Sequence, residues 1–424
     1  MATKVILEQL ITNADRLNSL VVEAKEMAFQ HGILLRTPET PNSSEVVSFA
    51  PFTLFPSPVP EAPLLQALAV YTHFNTLVDK ISQDPDFLQE ALDGEIWSIV
   101  VGLNRSDYMV DQRADRTSSL KQIEINTIAA AFDKLKHDHA PLISPTPCVR
   151  HAMKSVGLLE ESKCIQDTSR TPRMSAALAK AWELYGQHKA VILFLVEEVQ
   201  LSQLSHRTIE RELWKRDGLE VAVVYYRYGY MPDHYTEQVR YEYSLISVTH
   251  LVGTKKVQQV LARPGVLERF FPDQPQVVEQ IRATFAGLYT LDMGPEGDQT
   301  VAMALANPDK FVLKPQREGG GNNYFGEDIV RVLQEVKGDE RRAAYILMDR
   351  IRPRIEQKIL LKKGLPLKLT SICYEIGVYG AYVRHGQEMV LSEVAGHTLR
   401  SKSAEYDDAG LTRGITTFDN PLII

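Results

Sequence analysis

The stretch FVLKPQREGGGNN, residues 311–323, carries the strongest indication of fold and function in this chain. FVLKP predicts a short buried strand with Lys314 near its end. REGGGNN must follow as a loop, because a glycine triplet loses much backbone entropy on ordering and is rarely kept without a use. Its backbone N–H groups can face phosphate oxygens, and Lys314 adds a positive charge. The stretch therefore predicts a phosphate-binding loop, while a flexible hairpin with a polar tip stays open as the alternative.

Glu318, inside this loop, is unexpected in a site built for anions alone. A carboxylate beside phosphate requires a divalent cation between the two. The segment QIEINT supplies further oxygen ligands, because Glu124 and Asn126 are two apart on a predicted strand and face the same side. Ile123 and Ile125 are then expected to face the other side. The three polar residues together predict a magnesium site, although QIEINT taken alone favours a half-exposed strand with a solvated Glu and Asn.

Further cationic side chains stand where helices or strands are predicted to begin or end. Lys255 and Lys256 open a predicted helix, where the helix dipole also favours an anion, although a solvated lysine pair is the simpler interpretation. Arg105 follows a predicted strand and suits a carboxylate, unless it is held in a salt bridge to Asp107. The remaining candidates lie near strand ends: Arg227, Tyr230, Arg400 and Lys402.

Composition limits the class of protein. With 424 residues, the chain should fold as one large or two to three smaller domains. Hydrophobic residues make up 44% and charged residues 24%, as in soluble globular proteins. The net charge of -7 argues against nucleic-acid and anionic-membrane partners. Three widely spaced cysteines, no signal peptide and no apolar run of about 20 residues predict a cytoplasmic protein.

Hydrophobic periodicity gives the coarse order of elements. One amphipathic helix is predicted from the N-terminus to about Thr37. AVILFLVEE and VAVVYYRYGY are typical of strands and flank a helix-like segment, which predicts a small α/β subdomain. We therefore predict an α/β (α+β) fold in three parts. They are an N-terminal body with the metal-binding strand at 1–187, an inserted substrate-binding subdomain at 188–253, and a C-terminal part with the glycine-rich loop at 254–424.

The motifs FVLKPQREGGGNN, QIEINT, LNRSDYM, ATFAGLY, GTKKVQQ and the terminal GHTLRSK…DNP closely resemble those of eukaryotic glutathione synthetases. They occur in the same order over nearly the whole chain. The resemblance implies an ATP-grasp fold with a glycine-rich lid, a homodimer and small-molecule substrates. It also implies a ligase that joins γ-glutamylcysteine to glycine through an acyl phosphate, with ATP and Mg²⁺.

The resemblance also implies roles for single residues. The magnesium ligands are expected to be Glu124, Asn126 and Glu318. The nucleotide contacts are expected to be Glu124, Lys255, Lys314, Gln316, Arg317, Gly319, Gly320, Gly321, Asn322, Asn323, Phe325, Met348, Asp349, Arg350, Ile351, Glu375, Lys402 and Asp408. The substrate contacts are expected to be Arg105, Ile128, Ala129, Ala130, Ala131, Gln200, Leu201, Ser202, His206, Arg227, Tyr228, Gly229, Tyr230, Arg400, Leu411 and Thr412. The residues expected to act in catalysis are Arg105, Lys314, Glu318 and Arg400, of which Arg400 suits the glycine carboxylate.

Several positions depart from the family pattern. Gln200, Ser202 and His206 stand where the family presents an acid and two amides for the γ-glutamyl end. The chain is also shorter than expected at three places, around residues 93–98, around residues 217–220 and after Tyr235. Two alternatives therefore stay open. One is a catalytically impaired isoform or paralogue that binds nucleotide and dimerises, and the other is a ligase for a related γ-glutamyl peptide.

Overall fold

The computed structural model describes residues 2–37, 39–40, 43, 45–84, 86–88, 99–112, 118–128, 130, 145–158, 160, 164–165, 171–195, 220–227, 246–317, 321–407 and 415–424. The helices in these ranges are α1 (Ala2–Thr12), α2 (Ala14–Gln30), α3 (Glu61–Ser82), α4 (Thr146–Ser155), α5 (Thr171–Tyr185), α6 (Ile246–Val252), α7 (Lys255–Leu261), α8 (Val266–Phe270), α9 (Pro275–Thr284), α10 (Pro295–Ala306) and α11 (Glu327–Val336). The strands are β1 (Leu34–Arg36), β2 (Val47–Phe49), β3 (Phe52–Thr53), β4 (Ser57–Val59), β5 (Ile99–Gln112), β6 (Ser118–Asn126), β7 (Val191–Leu195), β8 (Val221–Tyr226), β9 (Leu288–Thr290), β10 (Phe311–Pro315), β11 (Tyr345–Asp349), β12 (Glu356–Leu361), β13 (Leu369–His385), β14 (Glu388–Ser403), β15 (Thr417–Asp419) and β16 (Pro421–Ile423). None of these helices combines the length and the apolar character that a membrane-spanning segment requires.

Seven strands form the central sheet in the order β12-β3-β15-β14-β13-β5-β6, and β12 also pairs with β13. β13 runs antiparallel to both β14 and β5, and its alternating side chains are buried on both faces. Helix α3 covers one face through Tyr71 and Phe74, and α5 covers the other through Leu178 and Ala181. A Cβ atom on Gly380 would lie 1.9 Å from Cε1 of Tyr71, so the close approach of α3 requires glycine there. The large sheet with covering helices confirms the predicted α/β (α+β) class.

A second sheet contains three antiparallel strands in the order β10-β11-β9. β10 is the segment FVLKP, and all five of its residues are buried, as predicted. Phe311 and Leu313 pack with Leu333 of α11 in one apolar cluster. Val312 and Lys314 alternate to the other side of the strand, where they line a cavity shared with the central sheet.

The N-terminal segment is not the single helix predicted to extend to Thr37. α1 ends at Thr12 and α2 begins at Ala14, because the side-chain oxygen of Asn13 accepts a hydrogen bond from the Arg16 amide at 3.1 Å and caps the second helix. α2 then ends at Gln30, and Gly32, with a φ of 60°, turns the chain toward β1. The apolar stripe is therefore shared by two helices.

β7 and β8 pair in parallel, which requires a crossover connection between them. The helix predicted for that connection lies outside the described residues. The central sheet takes strands from both the first and the third of the predicted parts of the chain. The division into three parts stays a prediction.

Candidate functional site

A cavity of about 410 Å³ lies between the two sheets. β10 and β11 of the smaller sheet contribute to one wall, and β6, β13 and β14 of the central sheet contribute to the other. This volume is in the range of small-molecule sites. Nine of the predicted nucleotide contacts line the cavity: Lys314, Asn323, Phe325, Met348, Asp349, Arg350, Ile351, Glu375 and Lys402.

Lys314 connects the two walls of the cavity. Lys314 is only 3% exposed. Its ammonium group donates to the carbonyl oxygen of Ile123, on the opposite wall, at 2.8 Å. Ile123 is the extra residue of a β-bulge between Gln122 and Glu124. The prediction that it faces away from the site was therefore wrong, since Ile123 lines the cavity. Ile125 does face away, and it packs in the apolar core.

Lys402 and Glu375 bring two ionisable groups to the wall formed by the central sheet. The ammonium group of Lys402 donates to the carbonyl oxygen of Asp407 at 2.7 Å. Burial raises the pKa of the Glu375 carboxyl, and the charges of Arg400 and Lys402 oppose this effect without cancelling it. Burial also raises the pKa of the Cys373 thiol on the same wall to about 11. This wall therefore presents one ammonium group beside a carboxyl group with a raised pKa and a thiol that favours its neutral form.

Arg350 joins two segments that border the cavity. Its Nη2 atom lies 2.5 Å from Oδ1 of Asp407, and its guanidinium carbon lies 5.4 Å from the centre of the Phe325 ring. Phe325 follows the glycine triplet, and Asp407 follows β14. Ion pairs and cation–π contacts at partly exposed positions contribute about 1 kcal/mol or less each. These two contacts therefore add little to the stability of this side of the cavity.

Glu124 and Asn126 lie side by side on β6, as predicted for two residues on one strand face. Asn126 Nδ2 is 3.5 Å from Glu124 Oε1, and Lys255 Nζ is 3.7 Å from Glu124 Oε2. Burial raises the pKa of Glu124, but the charges of Lys255 and Lys314 outweigh burial and hold the pKa below its ordinary value. Lys255 is only 5% exposed, so its interpretation as a solvated lysine was wrong.

This pair of side chains suits a hard cation. An ionised carboxylate and an amide carbonyl are oxygen ligands of the kind that Mg²⁺ prefers. The amide nitrogen of Asn126 donates to Asp107 and Glu124, which leaves its carbonyl oxygen for a ligand. The third predicted ligand, Glu318, lies outside the described residues. Among those that are described, no three His, Cys, Asp or Glu side chains form a metal-binding group.

Arg105 and Arg400 meet at one buried carboxylate, that of Asp107, and we call these three residues the arginine cluster. Asp107 accepts hydrogen bonds from Nε and Nη2 of Arg105, both at 2.8 Å, and its Oδ2 lies 3.0 Å from Arg400 Nη2. Arg400 also donates to Oε2 of Glu375 at 3.2 Å. Within the described part of the chain, Nε of Arg400 is buried without a hydrogen-bond partner. The salt bridge weighed for Arg105 is therefore present, and it joins the two predicted substrate arginines beside an unused donor.

Three of the other predicted substrate contacts are described: Ile128, Ala130 and Arg227. Nη1 of Arg105 donates to the carbonyl oxygen of Ala130 at 3.2 Å, so the segment after β6 lies beside the arginine cluster. Arg227 is 4% exposed and lies at the end of β8, where it donates to the hydroxyl of Tyr225 at 3.5 Å. It does not line the cavity.

The remaining predicted site residues are either beside the cavity or outside the described residues. The side-chain oxygen of Gln316 accepts a hydrogen bond from the Lys256 amide at 3.1 Å, and Lys256 pairs with Asp292 at 2.5 Å. Described but not lining the cavity are Glu124, Lys255, Gln316, Arg317, Gly321 and Asn322. Outside the described residues are Ala129, Ala131, Gln200, Leu201, Ser202, His206, Tyr228, Gly229, Tyr230, Glu318, Gly319, Gly320, Asp408, Leu411 and Thr412.

The sequence interpretation missed several residues that line the cavity. Strand alternation could have found some of them, because residues two apart face the same side. Val312 precedes Lys314 by two positions, and Cys373 precedes Glu375 by two. Asp407 and Tyr406 lie in a turn and carry no such signal. The missed lining residues are Met109, Ile123, Asp309, Val312, Arg352, Pro353, Ile355, Cys373, Ala404, Tyr406 and Asp407.

Known proteins of one family are similar to this chain over most of its length. The family model described as eukaryotic glutathione synthase, ATP binding domain, matches residues 14–98 and 93–423. The glutathione synthetase of Xenopus laevis is 43% identical over 98% of this chain and 99% of its own length. That of Homo sapiens is 42% identical over 97% of this chain and 98% of its own length. The chloroplastic glutathione synthetase of Solanum lycopersicum is 33% identical over 88% of this chain and 78% of its own.

A solved structure supports the fold. The apo form of a glutathione synthetase-like effector from Globodera pallida matches with a TM-score of 0.72 at 24% identity, over 97% of both chains. The alignment with the Xenopus laevis protein spans 477 positions, whereas this chain has 424 residues. That relative therefore has residues without a counterpart here. The family model and the full-length relatives lead to one conclusion: this chain belongs to the eukaryotic glutathione synthetase family.

Proposed function

We propose that this chain joins γ-glutamylcysteine to glycine, uses ATP to activate the peptide, and releases glutathione, ADP and phosphate. The observation that carries the proposal is the contact between the arginine cluster and the cavity wall. Arg400 donates to Glu375, and Glu375 lines the cavity together with Lys314 and Lys402. Cations suited to phosphate and guanidinium groups suited to carboxylates therefore adjoin in one place.

The proposed reaction has two steps. The cysteinyl carboxylate of the peptide attacks the γ-phosphorus of ATP, the bond to ADP breaks, and an acyl phosphate forms. The glycine amine, after losing a proton, attacks the acyl carbon, and phosphate leaves. Lys314 and Lys402 hold phosphate oxygens and stabilise the charge that develops on them. Arg400 orients a substrate carboxylate with the donor that Nε retains.

Glu124 and Asn126, with Glu318, are the residues that would hold Mg²⁺. When bound, the ion supplies positive charge that neutralises phosphate oxygens. Lys255 and Lys314 keep the Glu124 carboxylate ionised, because their charges lower its pKa. An ionised carboxylate is the form that binds a hard cation.

The proposed function is tested by measuring phosphate release with ATP, Mg²⁺, γ-glutamylcysteine and glycine, and by omitting each component in turn. We expect release only when both amino substrates are present, together with a product of the mass of glutathione. Release that does not depend on glycine would contradict the proposed acceptor. Glycine replaced by β-alanine, and γ-glutamylcysteine replaced by other γ-glutamyl peptides, separate this function from that of a ligase for a related peptide.

A nucleotide-binding protein without turnover is the second candidate. The observation that favours it is the length of the alignment with the Xenopus laevis protein, which exceeds the length of this chain. ATP would then raise the unfolding temperature, while no phosphate is released under any combination of substrates. Clear turnover would exclude this candidate.

The homodimer, the cytoplasmic location and the division into three parts also belong to the proposal. The dimer is supported by the family resemblance, and the location by the cysteine content and the sequence pattern. Sedimentation at several protein concentrations tests the dimer, because a reversible homodimer dissociates on dilution.

A further inference from the structure

Asp107 has no role among the residues that the family resemblance singled out, yet its carboxylate contacts three residues that have one. We propose that Asp107 is a positioning residue, which fixes Arg105 and Arg400 relative to one another and thereby sets the affinity for both amino substrates. This inference rests on the proposed function, because it concerns the residues that would hold the two substrates.

The contacts of Asp107 exclude a direct role in binding. Three nitrogen atoms lie close to its Oδ2 atom: Arg105 Nη2 at 2.8 Å, Arg400 Nη2 at 3.0 Å and Asn126 Nδ2 at 3.1 Å. Its Oδ1 atom accepts from Arg105 Nε at 2.8 Å. A carboxylate offers about four acceptor sites, and this one already has four contacts with nitrogen atoms of the protein. Asp107 is also only 1% exposed. Its effect on a substrate must therefore pass through its neighbours.

The backbone around Asp107 makes room for this arrangement. Asp107 lies opposite Gly377 of β13 in the central sheet. A Cβ atom built on Gly377 would lie 3.0 Å from Oδ1 of Asp107 and 3.2 Å from Cδ of Arg105. It would also lie 2.8 Å from Cγ2 of Thr398. A side chain at this position would thus press on the carboxylate and on the arginine stem, so Gly377 is part of the same device.

Charge gives the reason why one carboxylate is needed between the two arginines. Without it, two guanidinium groups would lie close together in a site sheltered from water, where like charges repel strongly. The shared carboxylate holds both Nη2 atoms at one oxygen and fixes their spacing. Loss of the negative charge should let Arg400 move away from Arg105 while both arginines remain in the site.

The test compares Asp107→Asn with Asp79→Asn. Asp79 is a matched control, because it is a buried aspartate that pairs with an arginine, Arg384, at 2.9 Å and does not line the cavity. For Asp107→Asn we expect the KM values of γ-glutamylcysteine and glycine to rise at least about tenfold, while the dissociation constant of ATP stays within about twofold. For Asp79→Asn we expect a lower unfolding temperature with all three constants unchanged.

Unchanged KM values in Asp107→Asn, with a lower unfolding temperature like that of the control, would overturn the proposal. If Asp107→Asn does not fold, Gly377→Ala is tested instead. Raised KM values for both amino substrates would support the positioning role of Asp107, and unchanged KM values would overturn it. Failure of the proposed function is recognised separately, because the wild-type protein would then show no turnover. Calorimetric binding of γ-glutamylcysteine with a non-hydrolysable ATP analogue needs no turnover. Weaker binding by Asp107→Asn supports the role, and equal binding refutes it.

Discussion

Asp107 and Asp79 are both buried aspartates that hold an arginine, but the pKa of Asp79 is raised and that of Asp107 is lowered. Asp79 has one arginine partner, Arg384, whose Nε lies 2.9 Å from its Oδ1. Burial raises the pKa of Asp79, and Arg384 offsets this only in part. Burial acts on Asp107 in the same direction, but there the charges of Arg105 and Arg400 together outweigh it and lower the pKa.

The pKa directions differ because Asp107 has two guanidinium partners and Asp79 has one. Asp79 is 5% and Asp107 is 1% exposed, so the more deeply buried group is the one whose pKa is lowered. Arg384 also donates from Nη1 to the carbonyl oxygen of Gly386 at 2.6 Å. The guanidinium group of Arg384 is therefore bound to groups of the protein itself. In the arginine cluster, Nε of Arg400 has no partner within the described residues. We therefore expect the Asp79–Arg384 pair to serve stability, and we propose that the unused donor of Arg400 serves a ligand.

The largest expected effect concerns the buried pair of Asp79 and Arg384. Arg384→Ala should lower the free energy of unfolding by about 3–5 kcal/mol, because it leaves the Asp79 carboxyl buried without its charged partner. The rate per folded molecule should stay unchanged, since neither residue lines the cavity. Urea denaturation gives the free energy. Lys180→Ala, which removes an exposed pair with Glu183, should cost no more than about 1 kcal/mol. A loss below about 1 kcal/mol for Arg384→Ala would show that the buried pair contributes no more to stability than an exposed one.

The next largest effect concerns Arg400 of the arginine cluster. Arg400→Ala should reduce kcat/KM for glycine about 100-fold, equivalent to about 2.7 kcal/mol of transition-state stabilisation, because it removes the donor that we propose for the glycine carboxylate. Steady-state kinetics at saturating ATP measures this loss. Arg331→Ala is the control, since Arg331 forms an exposed pair with Asp328. Equal kinetics in the two variants would show that Arg400 serves stability only.

A smaller effect is expected for Glu124→Gln. The substitution keeps the shape of the side chain and removes its charge, so the Mg²⁺ concentration for half-maximal activity should rise about tenfold. A Mg²⁺ titration of the rate, and of the unfolding temperature in the presence of ATP, measures the change. Glu183→Gln, at an exposed glutamate, provides the control. An unchanged Mg²⁺ dependence would remove Glu124 from the proposed ligands.

The smallest effect concerns pH. The folded state raises the pKa of Asp79, so the stability that this group contributes is fully present below its unfolded pKa, near 3.9, and is lost as pH rises through the folded pKa. Arg384 and Lys80 are the charged groups that oppose this rise in the pKa of Asp79. The amide in Asp79→Asn does not titrate. The unfolding free energy of wild type minus that of Asp79→Asn should therefore fall as pH increases from about 4 and then level off. A difference that grows with pH would give the wrong sign.

The sequence was sufficient for the parts of the site that depend on local pattern. FVLKP was predicted as a buried strand, and it is one, with Lys314 at the cavity. Strand alternation predicted that Glu124 and Asn126 face the same side, and their side chains lie 3.5 Å apart. Both follow from periodicity over a few residues. The α/β class also followed from the order of helical and strand-like segments. These features need no knowledge of distant contacts.

Other features depended on contacts that a local pattern does not contain. The break between α1 and α2 depends on a single capping hydrogen bond from Asn13, and the apolar stripe continues across it. Asp107 was considered only as a partner for Arg105. Its contact with Arg400 joins residues almost 300 positions apart and arises from the pairing of β5, β13 and β14. Alternation likewise could not place Ile123, because a bulge breaks it.

Because of the bulge at Ile123, β6 contributes both to the cavity and to the proposed magnesium site. Deletion of Ile123 would leave Gln122 and Glu124 as neighbours, still opposite Tyr108 and Asp107, so the side chains proposed for the metal and the amino substrates would keep their direction. It would also remove the carbonyl oxygen that receives the Lys314 ammonium group. The one extra residue of this strand therefore supplies a hydrogen bond between the two walls of the cavity.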